Sequence, residues 1–165
     1  MTHITSIFDF TKSSSATKTI LWSGFIAGNL DAIAGAVVYF IFFGMNPIQV
    51  VQFIGSGIHG PTAIGGGLSM FIAGLLYHFL ISYVVAGIYF LAYSKIKILR
   101  DYKIVMGLIF GLGIWLIMNL IILPQSNIPK SPFDVNLAIV GIIWHMALVG
   151  LPIALITSLY FDKKA

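Results

Sequence analysis

The sequence predicts an all-α integral membrane protein, a four-helix bundle with both termini in the cytoplasm. Three observations predict this fold: the composition, four long apolar runs, and the placement of the basic residues. Of 165 residues, 59% are hydrophobic and only 8% are charged. So few polar side chains could not cover the surface of a soluble domain. We therefore expect the chain to lie in a lipid bilayer.

Four runs are long enough to cross the hydrocarbon core, which is about 30 Å thick and takes about 20 helical residues. They lack the polar and apolar alternation of an outer-membrane barrel, so we interpret them as helices, over residues 19–44, 67–93, 104–123 and 135–161. We expect one transmembrane domain over 19–161, with a polar tail over 1–18 and a short tail over 162–165. The first tail is not a cleavable signal, because the apolar run that follows it is too long for a signal core.

The basic residues are concentrated on one predicted side of the membrane. They precede helix 1, fill the connection between helices 2 and 3, and follow helix 4, as Lys12, Lys18, Lys95, Lys97, Arg100, Lys103, Lys163 and Lys164. The other two connections hold only Lys130. By the positive-inside rule both termini are cytoplasmic, so the formal charge of +4 reflects topology. The basic residues are few, and no stacking surface of aromatic side chains is interleaved with them, so they do not indicate nucleic-acid binding.

The chain contains no cysteine. Its absence excludes disulfides, thiolate metal sites, cysteine nucleophiles and covalent haem attachment.

The connection between helices 1 and 2 predicts a short helix of its own. Asn46 and Pro47 can start a helix, and residues 48–54 are too few to span the bilayer. Glycines and a proline then interrupt residues 55–67. We expect a short interfacial or re-entrant helix on the outer side, followed by a glycine-rich turn that acts as a cap or a lid.

Glycines recur at helical spacing within the predicted spans. Small residues on one face allow neighbouring helices to approach closely, so these glycines predict helix-packing faces. The candidates are Gly24, Gly28 and Gly35 on helix 1, Gly74 on helix 2, Gly107 and Gly111 on helix 3, and Gly141 on helix 4.

Two similar hexads suggest an internal repeat. Residues 74–79 read GLLYHF and residues 141–146 read GIIWHM. Helices 1 and 3 also begin with similar segments, at 24–28 and 107–111. The pattern favours a tandem repeat of two helices, related by a pseudo-two-fold axis along the membrane normal. In a simple up-down-up-down bundle, helices 2 and 4 would then be diagonal partners.

Polar residues inside the spans are the candidate functional site. At a rise of 1.5 Å per residue, Asp31, His78 and His145 all lie about 15 to 20 Å from the outer ends of their helices. An unpaired aspartate at that depth costs about 3 kcal/mol, so it usually has a partner or a function. We interpret the three residues, with Asn29 and Ser82 nearby, as a proton-titrating or polar core. One alternative is purely structural, with Asp31 accepting hydrogen bonds from Asn29, a tyrosine or a histidine.

The working function is accordingly a proton-linked transport or membrane-accessory protein. Four helices enclose little space, so a transport path would require a homo-oligomer or a larger membrane complex. An alternative is a b-type haem protein for electron transfer, with His78 and His145 as axial ligands and a glycine one turn before each. Val149 crowds the second ligand, and neither a resident cofactor nor a metal site is predicted.

Two further classes of function remain, a membrane hydrolase and a non-catalytic subunit. A membrane hydrolase could be imagined from Ser82, His78 and Asp31, but the sequence has no nucleophile turn and no zinc-protease motif, so we do not expect an enzyme. A non-catalytic subunit or assembly factor would use the glycine faces to dock onto other membrane proteins.

Several segments carry a resemblance to known proteins: residues 24–31, 51–57, the hexad with His78, residues 115–119 with Leu123 and Pro124, and residues 150–155. Together they resemble a group of small uncharacterised bacterial membrane proteins and, more loosely, the YagU-type inner-membrane proteins. The resemblance covers most of residues 20–158. It implies a four-span protein of the bacterial cytoplasmic membrane with no assigned activity, and it transfers no catalytic residue.

Overall fold

The computed structural model describes residues 15–162, so most of both predicted tails lies outside it. Over this range the chain is helical, and four helices are long and apolar enough to cross a membrane: α1 (Ala16–Phe43), α3 (Gly67–Lys95), α5 (Lys103–Gln125) and α6 (Val135–Phe161). These helices confirm the all-α prediction and the four predicted spans. They indicate a small multi-pass membrane protein. Two short helices, α2 (Pro47–His59) and α4 (Lys97–Asp101), lie in the connections.

Each long helix runs in the opposite direction to the long helix before it. The start of α1 and the end of α6 lie at one end of the bundle, which we call the terminal end; the opposite end, with α2 and residues 126–134, is the loop end. Helix α1 packs against α3, and α5 packs against α6. Helix α6 also packs along α1, so it joins the two pairs.

The terminal half of the bundle has a continuous core. Its buried residues come from α1, α3 and α6, and one more comes from the short helix α4. They are Ala27, Ala86, Tyr89, Tyr93, Leu99, Val149, Ile153 and Ala154. Here α3 and α6 touch directly, because Phe90 contacts Tyr160 and Phe161 with ring centroids 5.1 and 5.2 Å apart. These helices are thus not purely diagonal partners, as a simple bundle would require.

Both α5 and α6 contain a stretch of wider, π-helical backbone. The stretches cover Met118–Ile122 and His145–Gly150, and each is followed by a leucine and a proline. Proline has no N–H to donate, and its ring clashes with the carbonyl four residues earlier, so the preceding turn opens. In α6 the widened turn begins at His145 and ends just before Leu151 and Pro152. Helices α1 and α3 have no such stretch among the described residues, so the two proposed repeats differ here.

The predicted short helix between the first two spans is present as α2. Asn46 and Gln49 form a reciprocal capping box at its start, with Pro47 in the first turn. Helix α2 packs against α3. The buried Gln52 side chain then holds the glycine-rich turn, since it donates to the Gly67 carbonyl and accepts from the Gly65 N–H, both over 2.9 Å.

Candidate functional site

The polar centre of the site is Asp31 in the middle of α1. Its side chain is 26% exposed. One carboxylate oxygen, Oδ1, accepts a hydrogen bond from the indole Nε1 of Trp144 on α6 over 2.8 Å. Asn29 instead donates to the Phe25 carbonyl of its own helix. Asn29, one of the three kinds of donor that the sequence suggested for Asp31, thus bonds to the backbone, and the donor to Asp31 is Trp144, which was not among them.

Two histidines flank Asp31 from different helices. His78 on α3 places Nδ1 3.9 Å from Asp31 Oδ2, and His145 on α6 places Nε2 3.7 Å from Oδ1. Both imidazoles are largely buried, with side chains 11% and 13% exposed. The structure thus brings together three residues that are far apart in sequence. We call Asp31, His78 and His145 the Asp-His cluster.

The second nitrogen of each imidazole is bound to the backbone. His78 Nε2 lies 2.8 Å from the Gly28 carbonyl oxygen, and His145 Nδ1 lies 2.7 Å from the Gly141 carbonyl oxygen. A carbonyl oxygen only accepts hydrogen bonds, so both of these nitrogens must carry the proton. A neutral imidazole has only one N–H. In their neutral forms both histidines therefore present an unprotonated nitrogen to Asp31.

In this geometry the sign of the two contacts to Asp31 depends on where the protons are. A lone pair that faces an ionised carboxylate is unfavourable, whereas a proton on either group turns the contact into an attraction. The separations of 3.7 and 3.9 Å are longer than direct hydrogen bonds. They leave room for the groups to close on a shared proton or on a bridging water.

Ser82 is near the cluster but is used for helix packing. Its hydroxyl donates to the Gly24 carbonyl on α1 over 2.6 Å. The hydroxyl proton is thus held by the backbone and does not point to His78, whose own N–H is also held by a carbonyl. The described residues therefore do not assemble the hydrolase triad that the sequence suggested.

Six of the seven candidate packing glycines lie at close helix contacts. On the α1–α3 face, a Cβ on Gly24 would come within 2.5 Å of the Tyr83 ring. Between α5 and α6, a Cβ on Gly111 would overlap the His145 carbonyl. Gly35 differs from its predicted role, because a Cβ there would meet no atom within 4 Å. Gly35 instead lines a cavity.

The cavity lies in the loop half of the bundle and has a volume of about 1200 Å³. The three residues of the Asp-His cluster line it together with Trp144, and its lining continues toward the terminal end to Ala27 and Val149. At the loop end it is lined by residues of helix α2 and of the 126–134 segment, which we call the covering segments. Asn127 joins the two covering segments, since its backbone N–H and side-chain amide donate to the Gly57 and Ile58 carbonyls over 2.9 and 3.0 Å.

The geometry does not suit the alternative haem site. An axial pair needs two imidazoles that face each other across an open slot, but here both rings converge on one carboxylate. The glycines one turn before the two histidines are also occupied by protein: Gly74 contacts the Val51 backbone of α2, and Gly141 contacts the Trp115 indole. Within residues 15–162, no group of three or more histidine, cysteine or acidic residues is placed to hold a metal ion.

In comparisons with known proteins, no family model, curated protein or solved structure matches this chain. The resemblance to small bacterial inner-membrane proteins stays a prediction. The fold and the site together indicate a small multi-pass membrane protein with a polar cluster in a cavity between its apolar helices.

Proposed function

We propose that the protein is a small proton-linked membrane transporter in which Asp31, His78 and His145 bind the proton. One observation carries the proposal: each histidine uses its only neutral-state N–H on a backbone carbonyl and turns its other nitrogen to the same carboxylate. Imidazole changes charge near physiological pH, so gain and loss of a proton would change the net charge of the cavity floor. Buried ionisable residues of this kind are typical of proton pathways.

The shape of the bundle supports a transport cycle. The cavity extends from the covering segments at the loop end to the Asp-His cluster, while the buried core of the terminal half packs on the other side. Small and branched residues, Ala27, Ala86, Val149 and Ile153, form the part of this core nearest the cluster. In the proposed cycle this is one of the two states of an alternating-access protein. The second state would open the terminal half.

We propose that the terminal end faces the cytoplasm of a bacterial inner membrane. Lys18, Lys95, Lys97, Arg100 and Lys103 all lie at that end. Lys130, the exception at the loop end, caps α5 by donating to the Leu123, Pro124 and Ser126 carbonyls. Lys130 thus has a local structural role. By the positive-inside rule, the other basic residues favour the orientation predicted from the sequence, with both termini in the cytoplasm.

Proton flux into liposomes that contain the purified protein and trapped pyranine tests the function. Under an imposed pH gradient, the wild type should carry more flux than protein-free liposomes, and Asp31→Asn should lose it while remaining folded. Asp101→Asn is the matched control, because Asp101 makes the same chemical change at the exposed terminal end. Equal flux in the wild type and Asp31→Asn would contradict the proposal.

Nitrogen-15 NMR of the histidine rings tests the proton site directly. We expect His78 Nε2 and His145 Nδ1 to carry the proton of the neutral rings, and the nitrogens facing Asp31 to be unprotonated. Asp31→Asn should shift the ring nitrogen signals of both histidines and leave those of His59 unchanged, since His59 bonds to the Tyr77 hydroxyl outside the cluster. The proposal fails if the nitrogens bound to the carbonyls are the unprotonated ones.

A further inference from the structure

The walls of the cavity identify the kind of molecule that it could hold. Its volume of about 1200 Å³ exceeds the range of about 300 to 1,000 Å³ that is usual for small-molecule sites. Most of the wall residues are apolar, among them Val51, Phe53, Ile54, Leu75 and Ile81. Such a site suits a bulky, mainly hydrophobic molecule.

The cavity wall reaches the exposed surface of the apolar spans. Six of its large apolar wall residues are more than half exposed: Ile33 at 64%, Val37 at 53%, Ile48 at 57%, Ile58 at 59%, Leu120 at 63% and Phe133 at 77%. Ile33 and Val37 on α1 and Leu120 on α5 lie within the spans, where the surrounding medium is lipid. A molecule dissolved in the bilayer could enter beside these residues without crossing the covering segments at the loop end.

The charges that face the cavity favour a cation. Within the four described spans Asp31 is the single acidic residue, and its carboxylate is partly exposed in the cavity. The groups around it are His78 on α3, His145 on α6 and, on its own helix, the Tyr39 phenol. The two charged residues at the mouth are already engaged, because Lys130 caps α5 and Asp134 accepts from the Leu137 N–H at the start of α6. Trp144 and Tyr39 add aromatic surface, which attracts organic cations.

From this arrangement we infer that the cavity binds lipophilic organic cations in exchange for protons on the Asp-His cluster. The inference rests on the proposed transport function and names its substrate class. A cation beside Asp31 stabilises the ionised carboxylate and repels a positive charge on either imidazole. Binding of the cation therefore expels a proton, and return of the proton expels the cation. No covalent step is involved.

Two probes of the same shape and opposite charge test the inference. Tetraphenylphosphonium and tetraphenylborate binding to the purified full-length protein in nanodiscs is measured by equilibrium dialysis, at about pH 5.5 and about pH 8, on either side of the ordinary imidazole range. The phosphonium should bind and the borate should not. For each proton displaced, the phosphonium Kd should fall up to about tenfold per pH unit between these values. Binding in weakly buffered solution should release protons.

Variants then locate the site. Asp31→Asn should weaken phosphonium binding at least about tenfold, as expected for loss of a desolvated charge partner, and Asp101→Asn should leave it unchanged. Preferred binding of the borate would overturn the inference without any variant, because the floor would then be cationic. Equal phosphonium binding in the wild type and Asp31→Asn would also overturn it.

The two proposals fail in different ways. Proton flux that depends on Asp31, together with no phosphonium binding, would reject the substrate class and keep the proton-linked function. Phosphonium binding that depends on Asp31 but is independent of pH, without proton release, would reject the proton linkage and keep a cation site.

Discussion

Trp144 and Asp31 are joined across two helices, because the indole N–H on α6 donates to the carboxylate on α1 over 2.8 Å. The Trp144 ring also stacks on His145, with centroids 5.0 Å apart and an interplanar angle of 24°. The Trp144 side chain thus holds the Asp31 carboxylate by a hydrogen bond and the His145 imidazole by ring stacking. We regard Trp144 as a positioning residue for the Asp-His cluster.

Trp144→Phe should destabilise the protein and lower its proton flux. A hydrogen bond to a charged group contributes about 1.5 to 3 kcal/mol, and phenylalanine keeps the stacking surface but removes the donor. Thermal unfolding in detergent measures the loss. In a double-mutant cycle with Asp31→Asn, the two losses should be markedly non-additive if the bond is what both variants break. Simple additivity would show that Trp144 acts by packing alone.

The sequence predicts the depth of the cluster but not its internal contacts. Depth follows from the 1.5 Å rise of a helix, which is why Asp31, His78 and His145 could be placed at one level. Contacts depend also on how each helix is rotated about its axis, and helices that are apolar all round carry little information on that rotation. Trp144 precedes His145 in the repeated hexad, so the sequence places it near the cluster. The sequence does not predict its bond to Asp31, because no local pattern encodes a contact between residues 113 positions apart.

The sequence does not predict the cavity or the neighbour of Gly74. It predicts Gly74 as a packing glycine, but not that the backbone of α2 is what packs on it. The sequence predicts that α2 exists, through its capping residues and Pro47, but not which span it packs on. The volume beside Asp31 depends on the separation of the surrounding helices, which side-chain periodicity does not determine.

Glycine-to-alanine substitutions should separate packed from open positions. Gly111→Ala should destabilise the bundle by about 1 to 3 kcal/mol, since the new methyl group would overlap the His145 carbonyl on α6. Gly113→Ala is the matched control two residues away, where a Cβ meets no atom within 4 Å. It should be neutral or stabilise by up to about 1 kcal/mol through helix propensity. Thermal unfolding of both variants in the same detergent measures the difference; equal stability would mean that the α5–α6 contact is looser than described.

Thr157→Val should raise stability, in contrast to most buried substitutions. The Thr157 side chain is fully buried, and its hydroxyl has no hydrogen-bond partner among the described residues. Valine keeps nearly the same shape and removes the cost of desolvating that hydroxyl, about 1 kcal/mol or more. Ser82→Ala provides the comparison, because it removes a bond between α3 and α1 and should cost about 1 kcal/mol. If Thr157→Val is instead destabilising, the hydroxyl must have a partner in the membrane, such as an internal water.

Single-cysteine variants should establish the orientation of the bundle, because the natural chain contains no cysteine. Ser131→Cys places a thiol in the exposed segment at the loop end, and Lys97→Cys places one at the terminal end. With the terminal end in the cytoplasm, a membrane-impermeant maleimide should label Ser131→Cys in intact bacterial cells and Lys97→Cys only after permeabilisation. The reverse pattern would place the cavity mouth in the cytoplasm. The direction of proton exchange would then be inverted, while the geometry of the Asp-His cluster would stay the same.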